Sequence, residues 1–261
     1  MKWFHPFHMV SYSPWPILSS FGVMNMMISL YVYLNINYSL FVFMLCLFNV
    51  ILVVTQWWRD VVRESTFQGF HTMKVCKGIY MGFIMFIASE VMFFFSFFFG
   101  YFFLALSPDV SVGSTWPPVS IVPVDYSHIP MLNTVILLSS GVSMTWSHHS
   151  LIAGNSSETK IGLLLTIIQG VVFSVIQFME YYDCSFSVAD SAFGSLFFIS
   201  TGFHGIHVII GSIFLMVSFT RLLKNHLSNK HHICFEAGAW YWHFVDVVWL
   251  FLFLVIYWWG C

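Results

Sequence analysis

The chain has 261 residues, 59% of them hydrophobic and only 8% charged, with a mean hydropathy of +0.83. A soluble domain carries about 25% charged residues, so this chain cannot cover a water-facing surface, and the same figures exclude disorder. Nine basic and eleven acidic residues give a net charge of -2, which offers no basic face to nucleic acid. Five cysteines (Cys46, Cys76, Cys184, Cys234, Cys261) without a CxxC pair point to neither a disulfide framework nor a zinc site.

A spanning helix needs about 20 mostly apolar residues, and seven stretches meet that need. The first, 17–34, follows Pro14 and Pro16, and the polar Asn35-Ile36-Asn37 separates it from the second, 39–57. The third runs over 75–106 and is followed by Ser107-Pro108-Asp109 and, further on, Trp116-Pro117-Pro118. The fourth covers 130–152, the fifth 158–182, the sixth 190–223 and the seventh 233–258. Strands are excluded because residues 78–103 are apolar on both parities, whereas a membrane barrel alternates over about ten residues. Lys2 is followed by prolines before any apolar core, which is not the pattern of a cleavable signal. The expected fold is all-α and polytopic, with seven transmembrane helices.

An odd number of crossings puts the termini on opposite sides. Lys2, Arg59, Arg63, Lys74, Lys77, Lys160, Arg221, Lys224 and Lys230 then all fall on the N-terminal side. Asp109, Asp125, Glu180, Asp183 and Asp190 fall on the other, which carries no Lys or Arg. Such one-sidedness orients the N-terminus inward, and an error of one helix would scatter the cations.

Few residues inside the spans can carry chemistry. Glu90 sits roughly 22 Å along the third helix at 1.5 Å per residue, among Phe86, Ile87, Phe93 and Phe94. It reads either as a proton-handling acid or as a neutral acid hydrogen-bonded to a neighbouring helix. Asp246 has His243 one turn back on its own face, and His204 and His207 lie similarly deep in the sixth helix. These histidines fit a polar network joining helices six and seven through Asp246, a haem held by two histidines or a copper site. A small-solute or proton channel built around Glu90 and Asp246 is a further reading. His148 and His149 end the fourth helix at the inner interface, where solvation is the simplest expectation. The segment Trp57-Trp58-Arg59-Asp60-Val61-Val62-Arg63-Glu64, with His71 and Lys74 after it, combines boundary aromatics with cations. It suits either anionic lipid head groups or ordinary snorkelling anchors, and Arg221 and Lys224 end the sixth helix on the same side.

At these residues the sequence resembles subunit III of the haem–copper cytochrome c oxidases in its mitochondrial form. HPFHMV at 5–10, SPWP at 13–16, QWWRDVVREST at 56–66, GFHTMKV at 69–75 and SEVMFF at 89–94 carry the resemblance. WPP at 116–118, LNTVILLSSGVSMTWSHHS at 132–150, TGFHGIHVIIG at 201–211, FEAGAWYWHFVDVVWLFLF at 235–253 and IYWWG at 256–260 continue it to the end. One departure stands out: where the family usually has FFW and then a His, this chain has Phe97-Phe98-Phe99 and then Phe103. The resemblance implies an arm of two helices (1–72) and a five-helix bundle (73–261) around a cleft filled by phospholipid. It places lipid contacts on Trp57, Trp58, Arg63, Glu64, His71, Phe86 and Arg221, and makes Glu90 the family's intramembrane acid. It also implies a non-catalytic subunit without haem or copper of its own, which favours the polar-network reading of His204, His207 and His243. The redox centres would reside in subunits I and II, subunit I would be the main contact, and accessory subunits would complete the complex. The implied place is the mitochondrial inner membrane with the N-terminus in the matrix.

Overall fold

The computed structural model describes residues 5–36, 40–110 and 113–260. Lys2, the expected break at Asn37, the expected helix start at Ser39 and Cys261 lie outside them. Among the described residues seven helices are long and apolar enough to cross a membrane, and the protein is an all-α polytopic membrane protein. They are α1 (Trp15–Ile36), α2 (Leu40–Thr66), α3 (Met73–Ala105), α4 (Ile129–Ala153), α5 (Ser156–Asp183), α6 (Ala192–Leu223) and α7 (Ile233–Leu252), the last continued by a π-helical turn, Phe253–Trp258.

Local chemistry explains where the helices start and stop. Pro16 and Pro130 occupy first turns, where a missing N–H costs nothing. The second helix does not end at 57 but runs on to Thr66. The reason is that Asp60 and Arg63, three apart, face each other on one turn at 3.8 Å, and nothing breaks the helix before Gly69, whose φ is +68°. The sixth helix begins at Ala192 rather than 190 because the Ser191 hydroxyl accepts the Gly194 N–H at 3.2 Å as its N-cap. Gly154 closes α4 in the left-handed region (φ +87°). The Gly154 and Asn155 N–H groups donate back to Leu151 and Ser150, so α5 can start at once and fold back along α4.

The chain divides into two compact units, Met1–Ile79 and Tyr80–Cys261, with the division inside α3. In the first unit α1 and α2 lie antiparallel: the Trp15 indole at the start of α1 donates to Asp60 near the end of α2 at 2.8 Å. Gly22 lets the two backbones approach, since a Cβ there would lie 3.2 Å from Val50.

In the second unit α7 is the most enclosed helix. Trp242 and Trp249 are fully buried, and each indole donates to a hydroxyl of α4, Ser140 at 2.9 Å and Thr134 at 3.0 Å. Trp242 fits because Gly170 of α5 and Gly211 of α6 leave room for its ring, the small-residue solution to close helix packing in lipid. Hydroxyls also join α4 to α5: Ser143 to Thr166 at 2.8 Å and Ser150 to Thr159 at 3.0 Å. Lipid is as apolar as the interior, so such hydrogen bonds and close fits, rather than a hydrophobic driving force, select the partners. Phe99 and Phe103, at the departure from the family pattern, are exposed on the outside of α3 and stack on each other at 6.5 Å.

The ends of this second unit differ in charge. Its four basic residues, Lys160, Arg221, Lys224 and Lys230, sit at the start of α5, the end of α6 and the turn before α7. Asp109, Asp125 and Asp190 belong to connections at the opposite ends of the helices, and Asp183 ends α5 there.

Candidate functional site

The boundary aromatics and cations of the first unit come together on the last two turns of α2. Trp57 is 37% and Trp58 64% exposed. Arg59 donates to Asp60 at 3.0 Å, and Arg63 Nη1 lies 3.8 Å from the same carboxylate. Asp60 thus receives the Trp15 indole on one side and two guanidinium groups on the other. Glu64 is half-buried, 3.6 Å from His8. His8 stacks on Phe70 at 5.2 Å and lies 5.9 Å, ring to ring, from His71. The Thr72 hydroxyl donates to the Pro6 carbonyl, and Lys74 stands over the Phe7 ring at 5.8 Å. Residues 6–8 are therefore laid against the α2–α3 turn. Two guanidinium groups beside exposed indoles form an arrangement able to hold a phosphate head group with its chains in the apolar phase.

In the second unit Phe86 is 44% exposed and stacks on Tyr241 at 6.3 Å, and Arg221 is half-buried in the last turn of α6. Glu90 of α3 is held by His207 of α6 at 2.9 Å. The other ring nitrogen of His207, Nδ1, lies 2.6 Å from the Phe203 carbonyl. A carbonyl only accepts, so Nδ1 carries a hydrogen. The contact gives the intramembrane acid a polar partner on a neighbouring helix, which makes it tolerable at membrane depth. It opens on a groove of about 430 Å³ lined by Phe83, Phe86, Phe93, Phe203 and Tyr241.

The histidines do not form the single network expected of helices six and seven. His207 turns to α3 and has both nitrogens engaged, so it has none to offer a haem or copper. His243 Nδ1 lies 3.8 Å from Asp246 Oδ2, and Asp246 is buried against Gly141 of α4, where a Cβ would come within 2.8 Å of that oxygen. His204 is fully buried between Trp249 (5.2 Å) and Phe173 (5.7 Å), and neither ring nitrogen has a hydrogen-bond partner among the described residues. Residues 204 and 207 are only about 60° apart around a helix with 3.6 residues per turn, but the His207 Nε2 is engaged by Glu90 of α3 while the His204 ring is enclosed by Trp249 of α7 and Phe173 of α5.

Two further acids escaped the sequence reading. Glu180, expected at the outer surface, is buried: the Tyr257 hydroxyl and the Gln177 amide donate to its Oε1 at 2.6 and 3.1 Å, and Asn133 donates to Gln177 at 3.2 Å. The spacing of Gln177 and Glu180 on one helix face was the available signal. Glu236, in the first turn of α7, accepts from the Tyr80 hydroxyl and faces His232 at 3.2 Å and His148 at 4.0 Å. His148 is thus half-buried in a side-chain cluster rather than simply solvated. The donor atoms of His148, His232 and Glu236 all lie within 4.8 Å of one another.

Outside the spans, Asp125 precedes α4, and its carboxylate is held below the usual range by the hydroxyl and the N–H of Ser127, with His128 adding its charge at 3.4 Å. Burial at the end of α5 pushes the Cys184 thiol up to about 11, with Glu180 and Asp183 adding to the effect.

Comparison with known proteins covers the whole of this architecture. The family model described as cytochrome c oxidase subunit III matches residues 5–261. The chain is 52% identical over 256 residues to cytochrome c oxidase subunit 3 of Heterololigo bleekeri, covering 98% of each chain. Relatives of the same name from Pelomedusa subrufa and Drosophila melanogaster are also 52% identical over 256 residues, covering 98% of this chain and 98% and 97% of theirs.

Proposed function

Since the chain belongs to the cytochrome c oxidase subunit III family, we propose that it is a non-catalytic core subunit of a proton-pumping terminal oxidase. The complex passes electrons from cytochrome c to dioxygen through haem and copper in subunits I and II, and this chain packs chiefly against subunit I. Its place is the mitochondrial inner membrane, with the N-terminus in the matrix. The observation that carries this reading is the match of nearly the full length to relatives of that name. The gathering of the second unit's cations at one end of its helices supports the orientation.

Within the complex the chain acts by holding lipid and by steadying subunit I while protons enter on the matrix side. Arg63 and Trp58, exposed beside Asp60 and Arg59, support the first role: they offer charge and an amphipathic ring at the depth of a phospholipid head group. Glu64, His71 and Trp57 complete that surface, while Phe86 and Arg221 offer an apolar and a cationic contact of the same kind on the second unit. His8, 3.6 Å from Glu64, lies beside this surface, with His5 three residues before it on the side where protons enter. The reading is tested in the assembled oxidase. Isolation by subunit I affinity followed by mass spectrometry should recover this chain in a one-to-one ratio with bound phospholipid. Trp58→Ala and Arg63→Ala should lower the bound phospholipid and shorten the time to inactivation during turnover. Unchanged lipid content together with unchanged lifetime would remove the lipid role, and failure to copurify would remove the assignment itself.

A further inference from the structure

At the end of the second unit that carries its cations, three side chains converge from two helices. His148 comes from the last turns of α4, and His232 caps α7, with Glu236 one turn further along it. Their donor atoms lie within 4.8 Å of one another. His232 is 7% exposed, and its Nδ1 lies 2.9 Å from the Ser228 carbonyl. That carbonyl can only accept, so the hydrogen of the neutral ring sits on Nδ1 and the Nε2 lone pair points into the cluster. An imidazole fixed through its outer nitrogen by a backbone carbonyl is the orientation that metal-binding histidines use.

Hydrogen bonding does not account for the arrangement. Among the described residues neither His148 Nε2 nor His232 Nε2 has a hydrogen-bond partner, although Glu236 Oε1 is 3.2 Å from one and 4.0 Å from the other. The Tyr80 hydroxyl takes the second carboxylate oxygen, leaving Oε1 turned toward the two rings. Buried ring nitrogens left without a partner beside a carboxylate are costly, and a cation between the three groups removes the cost.

We propose that His148, His232 and Glu236 form a site for a divalent transition-metal ion, Zn²⁺ by donor type, which ties the end of α4 to the start of α7. Two imidazoles and a carboxylate suit Zn²⁺, whose bonds to nitrogen and oxygen run about 2.0–2.2 Å and whose fourth position stays open to water. Ligands of a tetrahedral ion with such bonds stand about 3.4 Å apart. The His232–Glu236 separation already meets that, and a modest rotation of the His148 ring closes the rest. The site goes beyond the expectation that the chain holds no metal of its own.

The test uses the full-length chain in detergent, stripped with chelator and titrated with Zn²⁺ or Co²⁺. One site per chain is expected, with the intense visible bands of tetrahedral Co²⁺, which Zn²⁺ should abolish. The Zn X-ray absorption edge should show imidazole scattering and a nitrogen–oxygen shell at about 2.0–2.1 Å. His148→Gln and His232→Asn should each weaken binding about tenfold or more, while His149→Gln, outside the cluster, leaves it unchanged. A variant at a helix end can fail to fold, so a footprint of the unaltered chain supplies the second arm. There Zn²⁺ should protect His148 and His232 from diethyl pyrocarbonate and leave His128, on the connection before α4, reacting at its former rate. An octahedral Co²⁺ spectrum, an equal loss with His149→Gln, or unprotected His148 and His232 would each overturn the proposal.

Discussion

Single atoms decide much of the interior. The ring of Trp242 lies where a Cβ on Gly170 would come within 2.5 Å of it and within 2.8 Å of the Ser212 hydroxyl, whereas Gly202 faces open space. Gly170→Ala should therefore cost about 1–3 kcal/mol through overpacking, and Gly202→Ala should cost nothing measurable. Thermal denaturation of the detergent-solubilised chain compares the two. Cys184 gives a second reading at this scale. Its thiol, raised to about 11 by burial, reacts only as thiolate, so alkylation at pH 8 should be slow and rise about tenfold per pH unit toward 11. Iodoacetamide labelling followed by mass spectrometry of the 184 peptide measures it.

Helices are coupled by pairs that only the folded chain brings together. Glu90 and His207 lie on α3 and α6 and meet at 2.9 Å. His207→Leu leaves a carboxyl without its partner and should cost about 1–3 kcal/mol. The double change with Glu90→Leu should cost less than the sum of the single changes, and a double-mutant cycle on thermal stability reads the difference. The connection before α4 depends on pH in the opposite setting, exposed to water. The Asp125 carboxyl is held low in the folded chain by Ser127, so the stabilisation it lends the turn is present above the ordinary carboxylate range. It is lost as the pH falls through the lowered value. Hydrogen exchange over residues 125–128 should quicken at that point, and Ser127→Ala should move the transition to higher pH.

For the whole molecule the governing fact is which end each charge occupies. Cysteines introduced in place of Lys160 and Lys224 should react with an impermeant maleimide from the same side of the membrane, and one at Asp125 only from the other. In intact mitoplasts Asp125→Cys should label, and the other two should label only after the membrane is opened. Labelling of Lys160→Cys and Lys224→Cys from opposite faces would break both the seven-helix count and the matrix orientation.

Seven apolar stretches, the proline and glycine positions near their ends and the one-sided cations are local properties, and they were legible in the amino-acid order alone. So were the motifs that tie Trp57, Trp58, Arg63 and Glu64 to the oxidase subunit. The sequence also showed that Glu90, Asp246, His204, His207 and His243 lie deep, because depth follows from distance along a helix. It did not show that His207 turns to Glu90, that His204 is sealed by Trp249, that Glu180 meets Tyr257, or that His148, His232 and Glu236 converge. In water the apolar face of a helix announces where its neighbour is. In a bilayer lipid and interior are equally apolar, both faces read alike, and only the tertiary fit of small residues, indoles and hydroxyls decides which helices meet.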